Sequence, residues 1–402
     1  MFGMLALSAG LLAAGVVEGV RHRAALEAVP IRIHVNGTRG KSSVTRLITA
    51  SLQAGSVRTL GKVTGTVHRW LLPDGTEAET ARRSGPARIH EQIAAVRRAA
   101  ALGCTALVAE CMAVQPELQW VSEHRILHST IGVITNARLD HEGAMGPRPG
   151  IIARTLGNTI PDRGLLVCGE AGLAEVLEPA ARAAGTRVVV AGSVPLAAIP
   201  AELRGVLAWH HPANLGTALA VAEALGIDAQ AAWQGMASAP PDPGTAVFAL
   251  VRAAAGRTAV VLDATAANDP VSLEIVMAGM RHLLGEGGEV HIVYHHRPDR
   301  LDRLARFGRS LAEMPASSLW CSGPSAGAAY LVRATGRAVT GVRTPAEALD
   351  RLGARRDGGG APEPAPAGGD LIVVCGNTRG AGPWRRAFGP WRPVPLREEG
   401  IA

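Results

Sequence analysis

Two hydrophobic periods alternate along this chain. "IRIHV" (Ile31 to Val35) is a short apolar, β-branched run of the kind that forms a buried strand. After a glycine-rich turn, "SSVTRLITASLQAG" sets Val44, Leu47, Ile48 and Leu52 at helical spacing and ends in Gly55, a natural C-cap. "TALVAE" (Thr105 to Glu110) and "STIGVITN" (Ser129 to Asn136) read as parallel strands covered on both faces, and "GLLVCG" and "TRVVVAG" continue the series. A helix with a polar, histidine-rich start is expected from His210 to Ile227. "APPDPG" (Ala239 to Gly244) is a turn cluster, and the expected domain boundary falls between about Pro240 and Gly256. A second alternation follows in "TAVVLDATAANDP", "EVHIVYHHRPDR", "ASSLWCSG" and "DLIVVCGNTRG". The Gly/Pro/Ala-rich run before the last of these reads as a surface loop. The fold class is α/β in two domains.

The turn after "IRIHV" carries candidate chemistry. "GTRGKSS" (Gly37 to Ser43) lacks the spacing G-x-x-x-x-G-K-[ST] of a Walker A loop, because position 35 is Val and the first glycine is Gly37. Strand, glycine turn and helix in that order still form an anion site from backbone N–H groups and the positive end of the helix dipole. Lys41 is placed to reach terminal phosphates and Ser42 to hold Mg²⁺. Of the 41 basic residues only Lys41 and Lys62 are lysine. A chain that writes its positive charge as Arg keeps a compact ammonium here, where it suits phosphate. The alternative is a glycine turn with an incidental lysine.

Strand ends supply the other candidates, since open α/β sheets bind ligands outside their carboxyl edge. Glu110 ends "LVAE" and is placed to hold Mg²⁺ directly or through water. Asn136, Asp140 and His141 follow "GVIT", where Asp140 would orient His141 or take a water of the metal shell.

The N-terminus changes the picture. Residues 1 to 17 carry no charge, and Arg21 and Arg23 follow on the C-terminal flank. That order argues against a cleaved signal peptide and for an uncleaved membrane anchor with its C-terminal side cytoplasmic. A buried or peripheral helix is the alternative. The net charge of +7 follows from Arg-rich usage and does not imply nucleic acid. Five scattered cysteines without a C-x-x-C fit a reducing compartment.

G-x-x-G-K-S, an apolar strand ending in Glu, and "TNARLDH" together resemble the Mur ligase superfamily, which forms amide bonds through ATP and an acyl phosphate. "HPANLGTALAVAEALG", "DATAANDPVSL" and "HHRPDRLDR" extend the resemblance. "KVTGT", "SGPARIHEQ", "AECMAVQPE", "APPDPG" and "CGNTRG" are similar to the ATP-dependent ligase subunits of poly-γ-glutamate synthase, the PgsB/CapB family. The resemblance covers essentially the whole chain. It implies a membrane anchor over residues 1–20, a P-loop-type ATP-binding domain over 29–245 and a smaller Rossmann-like ligase domain over 256–402.

The resemblance further implies ATP and Mg²⁺ as cofactors, with the catalytic set Lys41, Glu110 and His141. Metal would be held by Ser42, Glu110 and His141. Nucleotide would be bound by Gly37, Thr38, Arg39, Gly40, Lys41, Ser42, Ser43, Asn136, Asn214, Asp263, Arg297 and Arg300. Implied partners are glutamate and its polymer, small integral-membrane subunits of the synthase and further copies of the chain. Arg82, Arg83 and Arg88 are candidates for binding the polyanion, or form a solvated face. Two positions depart from the superfamily: Leu156 stands where many members have a carbamylated lysine, and the His of the A-H-N-P segment is replaced in Ala267-Asn268-Asp269. A Mur-type ligase with a folate or peptidoglycan acceptor, or a membrane-bound NTPase switch, are the competing readings.

Overall fold

The computed structural model describes residues 2–65, 68–80, 88–208, 210–242, 244–252, 258–267, 269–280, 284, 288–351, 369–377 and 381–394. Arg82, Arg83, Asn268, the Gly/Pro/Ala-rich run and Thr378 to Gly380 of "CGNTRG" lie outside these residues. The chain divides into two compact units, Met1–Asp242 and Pro243–Ala402.

The first unit opens with helix α1 (Phe2–Ala28) and strand β1 (Ile31–Asn36), then α2 (Lys41–Ala54). Strands β2 (Thr59–Val63), β3 (Arg69–Leu71) and β4 (Glu77–Glu79) precede α3 (His90–Ala101) and β5 (Ala106–Glu110). Next come α4 (Pro116–Val121), continued by a π-helical stretch at Ser122–Leu127, and then β6 (Ile131–Ile134), β7 (Leu165–Cys168) and β8 (Arg187–Val190). The eight strands form one sheet in the order β4-β3-β2-β5-β1-β6-β7-β8. It is parallel except for β3 and β4 at one edge. On one face α2 packs with the helices Pro212–Ala224 and Ala229–Ser238 around Ile33, Val35, Leu47, Ile48 and Met236. β1 lies between β5 and β6, so the turn that follows it opens at the switch in strand order where α/β sheets bind ligands.

The two faces of β1 differ in chemistry. Ile31, Ile33 and Val35 face the apolar cluster of α2, whereas His34 and Asn36 are polar and buried. His34 Nδ1 donates to Glu123 Oε2 at 2.8 Å. Burial by itself pulls the imidazole toward the neutral form, but Cys111 and Glu123 outweigh it and raise its pKa from 6.5 to about 10. A raised folded-state pKa contributes stability that is full below about 6.5 and is lost as pH climbs toward 10. Urea unfolding of wild type and His34→Gln should therefore give a stability gap that narrows by a few kcal/mol between those limits, at about 1.4 kcal/mol per pKa unit. A gap independent of pH would mean that the ring is neutral throughout.

α1 corrects one expectation. Among the described residues no helix is long and apolar enough to cross a membrane. The uncharged run stops at Val17, and from Glu18 onward the helix docks on the rest of the first unit. Glu18 pairs with Arg97 at 2.6 Å, His22 Nε2 donates to Ile126 O at 2.8 Å, and Ala25 packs with Val29, Leu60, Trp70 and Val96. A span needs about 20 apolar residues, and docking removes the last third of α1 from that role. Leu7, Leu11, Leu12, Val16 and Val20 remain exposed.

In the second unit, β9 (Val247–Arg252) and β10 (Thr258–Asp263) pair antiparallel. They are joined by β11 (Val290–His295), β12 (Ser318–Ser322), β13 (Val339–Gly341), β14 (Asp370–Cys375) and β15 (Arg392–Pro393). The order is β13-β12-β11-β14-β10-β9-β15, parallel from β13 to β10. Ile292, Tyr294, Phe307, Leu319 and Val373 form its main core. β9 lies inside the stretch from Pro240 to Gly256 where the sequence pattern places the domain boundary, and its apolar run pairs with β10 as part of the second sheet.

Candidate active site

The turn after β1 is built as a rigid cradle. Gly37 has φ +133°, and a methyl there would come within 2.0 Å of Thr135 Oγ1, so only glycine fits. The Gly37 N–H donates to Asn36 Oδ1 (2.8 Å), Thr38 N–H to Asn136 O (3.1 Å) and Arg39 N–H to Asn136 Oδ1 (3.0 Å). Thr38 Oγ1 also donates to Asn136 Oδ1 at 2.7 Å, and Asn136 Nδ2 and Thr135 Oγ1 both donate to Arg39 O. The first three amides are thus committed inside the fold. Gly40, left-handed at φ +79°, then starts α2, and its carbonyl takes the first helical hydrogen bond, from Val44. The amides of Lys41, Ser42 and Ser43 open the helix without intrahelical acceptors, which makes them the donors for an anion. The loop is short because two asparagines replace the missing residues as scaffolding.

Lys41 Nζ donates to Gly37 O at 2.6 Å, so the ammonium is already held over the cradle. Ser42 Oγ donates to Glu110 Oε2 at 3.0 Å, and Thr64 N–H to the same oxygen at 2.6 Å. Gly65 closes over this pair, since a methyl there would fall 2.3 Å from Ser42 Oγ. Burial pushes the Glu110 carboxyl above its usual range, opposed by Lys41, Thr64 and Ser42 and reinforced by Asp242. Both hydrogen bonds that described residues make to Glu110 fall on Oε2, leaving Oε1 to meet a cation. A serine hydroxyl and a carboxylate are hard oxygen donors and fit Mg²⁺, which completes its shell with water and phosphate oxygens.

Glu110 and Asn136 end strands on opposite sides of β1, and the remaining candidates divide accordingly. Arg39 donates to Asp140 Oδ2 at 2.7 Å, and His141, left-handed at φ +47°, lies beside Asp140 at 3.9 Å. Burial raises the Asp140 carboxyl, but Arg39, His141 and Lys41 outweigh it and hold it below the usual range. His141 thus stands beside Asp140 in the segment after β6, and Ser42 meets Glu110 at the end of β5. Among the described residues no group of three His, Cys, Asp or Glu side chains is placed to hold a metal. Leu156 is fully buried among Ile134, Ile152 and Ile160, so that position packs a core.

Asn214 does come to the loop: a methyl at Gly40 would lie 2.6 Å from its Oδ1. Its helix is capped by His211, whose Nδ1 accepts from Ala213 N–H. Acceptance requires a neutral ring, and burial, with Arg138 nearby, lowers the His211 pKa to about 4.

In the second unit the predicted residues have local tasks. Asp263 is buried and accepts from Thr265 N–H, Thr265 Oγ1 and Arg385 Nε (2.6 Å). Arg297 pairs with Asp299, and Arg300 stands at the start of the helix Leu301–Glu313 without a side-chain cap hydrogen bond. Arg88 lies at the foot of α3, where its backbone N–H donates to Glu91. Sequence reasoning assigned no role to Asn36, Thr64, Gly65 or Thr135, although Thr64 and Gly65 lie in "KVTGT" and Thr135 opens "TNARLDH".

The two-unit architecture is that of the Mur ligases and folylpolyglutamate synthases. Escherichia coli FolC in complex with ADP superposes with a TM-score of 0.62 at 18% identity, covering 92% of this chain and 93% of that one. MurF from Acinetobacter baumannii gives 0.54 at 14% identity, covering 90% and 77%. Residues 249–388 match the family model of the poly-gamma-glutamate synthase CapB C-terminal domain. The "PGA synthase CapB" of Bacillus subtilis (strain 168) is 34% identical over 313 residues, 77% of this chain and 79% of that protein. The "Capsule biosynthesis protein CapB" of Bacillus anthracis is 37% identical over 304 residues, 75% of this chain and 64% of its own length. The chain belongs to the CapB family of poly-γ-glutamate synthases.

Proposed function

We propose that this chain is an ATP-dependent amide ligase that joins glutamates through their γ-carboxyl groups. The observation that carries the reading is the contact of Ser42 with the buried Glu110 at the mouth of the short loop, in a chain of this family. A carboxylate is a poor electrophile, so the γ-phosphoryl group of ATP is first transferred to it, giving an acyl phosphate and ADP. An incoming amine then attacks the acyl carbon, loses a proton and displaces phosphate. Phosphoryl transfer depends on positioning and charge neutralisation. The amides of Lys41 to Ser43 and the Lys41 ammonium provide both. Ser42 and Glu110 would hold Mg²⁺, which would supply neutralisation of phosphate charge. Asn136 acts through the loop it braces, and Asn214 borders the same loop.

ADP release that requires glutamate and lengthens a polymer tests this reading. Turnover with no carboxylate substrate would favour an NTPase switch, and turnover only with a folate or a peptidoglycan precursor would transfer the activity to that acceptor. For location, we infer that the exposed apolar length of α1 inserts into the membrane from the cytoplasmic side, beside integral-membrane partners of the synthase. Deleting residues 2–17 should move the chain from membrane to soluble fractions with its unfolding midpoint unchanged. Recovery of the full-length chain as soluble protein would sink the insertion.

A further inference from the structure

The buried polar face of β1 is matched, residue for residue, by the chain that follows Glu110. Asn36 Nδ2 donates to Gln119 Oε1 at 2.9 Å, His34 to Glu123 at 2.8 Å, and Arg32 Nε to the carbonyls of Leu127 and His128 at 3.0 Å. The partners at 119, 123 and 127 advance by four residues as the strand positions retreat by two. The partners therefore run antiparallel to β1, along α4 and the π-helical stretch that continues it. Each member has further partners. Glu123 Oε1 accepts from Ser129 N–H and Oγ, Gln119 Nε2 donates to Val114 O, and Asn36 Nδ2 also reaches Thr159 Oγ1 at 3.1 Å.

Parallel strands covered on both faces are ordinarily apolar throughout. A buried polar column adds little stability over an apolar one, but it admits a single register, because any slip leaves several buried groups unpaired. That register matters where the column ends. Asn36 is its last member, and its Oδ1 takes the Gly37 N–H. The segment that supplies Gln119 starts at Glu110, and its Cys111 N–H is tied to Val35 O at 2.8 Å.

We propose that Gln119, acting through Asn36, is a positioning residue for nucleotide binding. By orienting the Asn36 carboxamide it turns the Gly37 amide inward, so that the anion-binding amides begin at α2 in register with Glu110. The proposal rests on the nucleotide reading of the loop.

The test is calorimetric titration of the full chain with MgADP. Gln119→Met keeps the volume and removes the acceptor. It should weaken MgADP binding about tenfold, the effect of one hydrogen bond, with KM for ATP rising in parallel and kcat changing less. Gln119→Glu keeps an acceptor for Asn36 but gives up the donor to Val114 O and buries a carboxyl group, so it should recover part of the affinity lost in Gln119→Met. Thr159→Val, an isosteric loss of the second acceptor, should show a smaller effect in the same direction, and it serves if Gln119→Met does not fold. Folded variants that bind MgADP within twofold of wild type would overturn the positioning role. A wild-type chain that binds no MgADP would instead remove the nucleotide reading itself.

Discussion

Lys41→Ala is expected to abolish nucleotide turnover in a chain that still folds. Among the described residues the ammonium donates to carbonyls of its own loop, Gly37 O and Thr38 O, and it is partly exposed, so water replaces it there at small cost. In the chemical step the same charge faces the phosphoryl group in transit. Removing a positioned cation from phosphoryl transfer costs on the order of a thousandfold or more. Lys41→Arg should not rescue, because a planar fork does not replace a compact ammonium within a tight glycine loop. ADP release, measured alongside the unfolding midpoint, decides the matter. Normal ADP production by folded Lys41→Ala would end the phosphate-loop interpretation.

The second large effect belongs to Glu110. Glu110→Ala removes the acceptor of Thr64 N–H and Ser42 Oγ together with the charge, so it perturbs structure as well as chemistry. Glu110→Gln separates the two: its amide oxygen still accepts from Thr64, but the charge is gone. Both should lose on the order of a hundredfold or more in the chemical step. Half-saturation should move to higher Mg²⁺, with the Gln variant retaining the stability that the Ala variant loses. His141→Ala should be milder if one metal binds at Ser42 and Glu110, and comparable if His141 holds a second. ADP release against Mg²⁺ concentration compares all three. If the Glu110 variants keep wild-type rates and Mg²⁺ dependence, the carboxylate is structural.

Much of the site was legible because its parts are local. A β-branched run, two glycines and Lys41-Ser42 at a helix start announce themselves within a few residues, and Glu110 and Asn136 are marked by ending apolar strands. Roles were harder to read than places. Asn136 looked like a nucleotide ligand, yet its side chain is spent on Thr38 and Arg39, which lie about a hundred residues earlier. Asp263 looked available and is consumed by Thr265 and Arg385. α1 read as a span because hydropathy registers an apolar run and not the docking of the residues that follow it.

Sequence by itself determined the α/β class, the anion-binding turn and the residue types offered at the strand ends. Each of these rests on periodicity or on a motif within one segment. Tertiary structure alone decided which ends meet. Strand order puts β5 and β6 on either side of β1, and Glu110, at the end of β5, reaches Ser42. It also decided what Thr64 and Gly65 of "KVTGT" do: they close over Ser42 and Glu110. Hydrogen bonds between residues tens of positions apart leave no period in the sequence, since either partner alone has an ordinary explanation; only the register of the sheet brings the pair within reach.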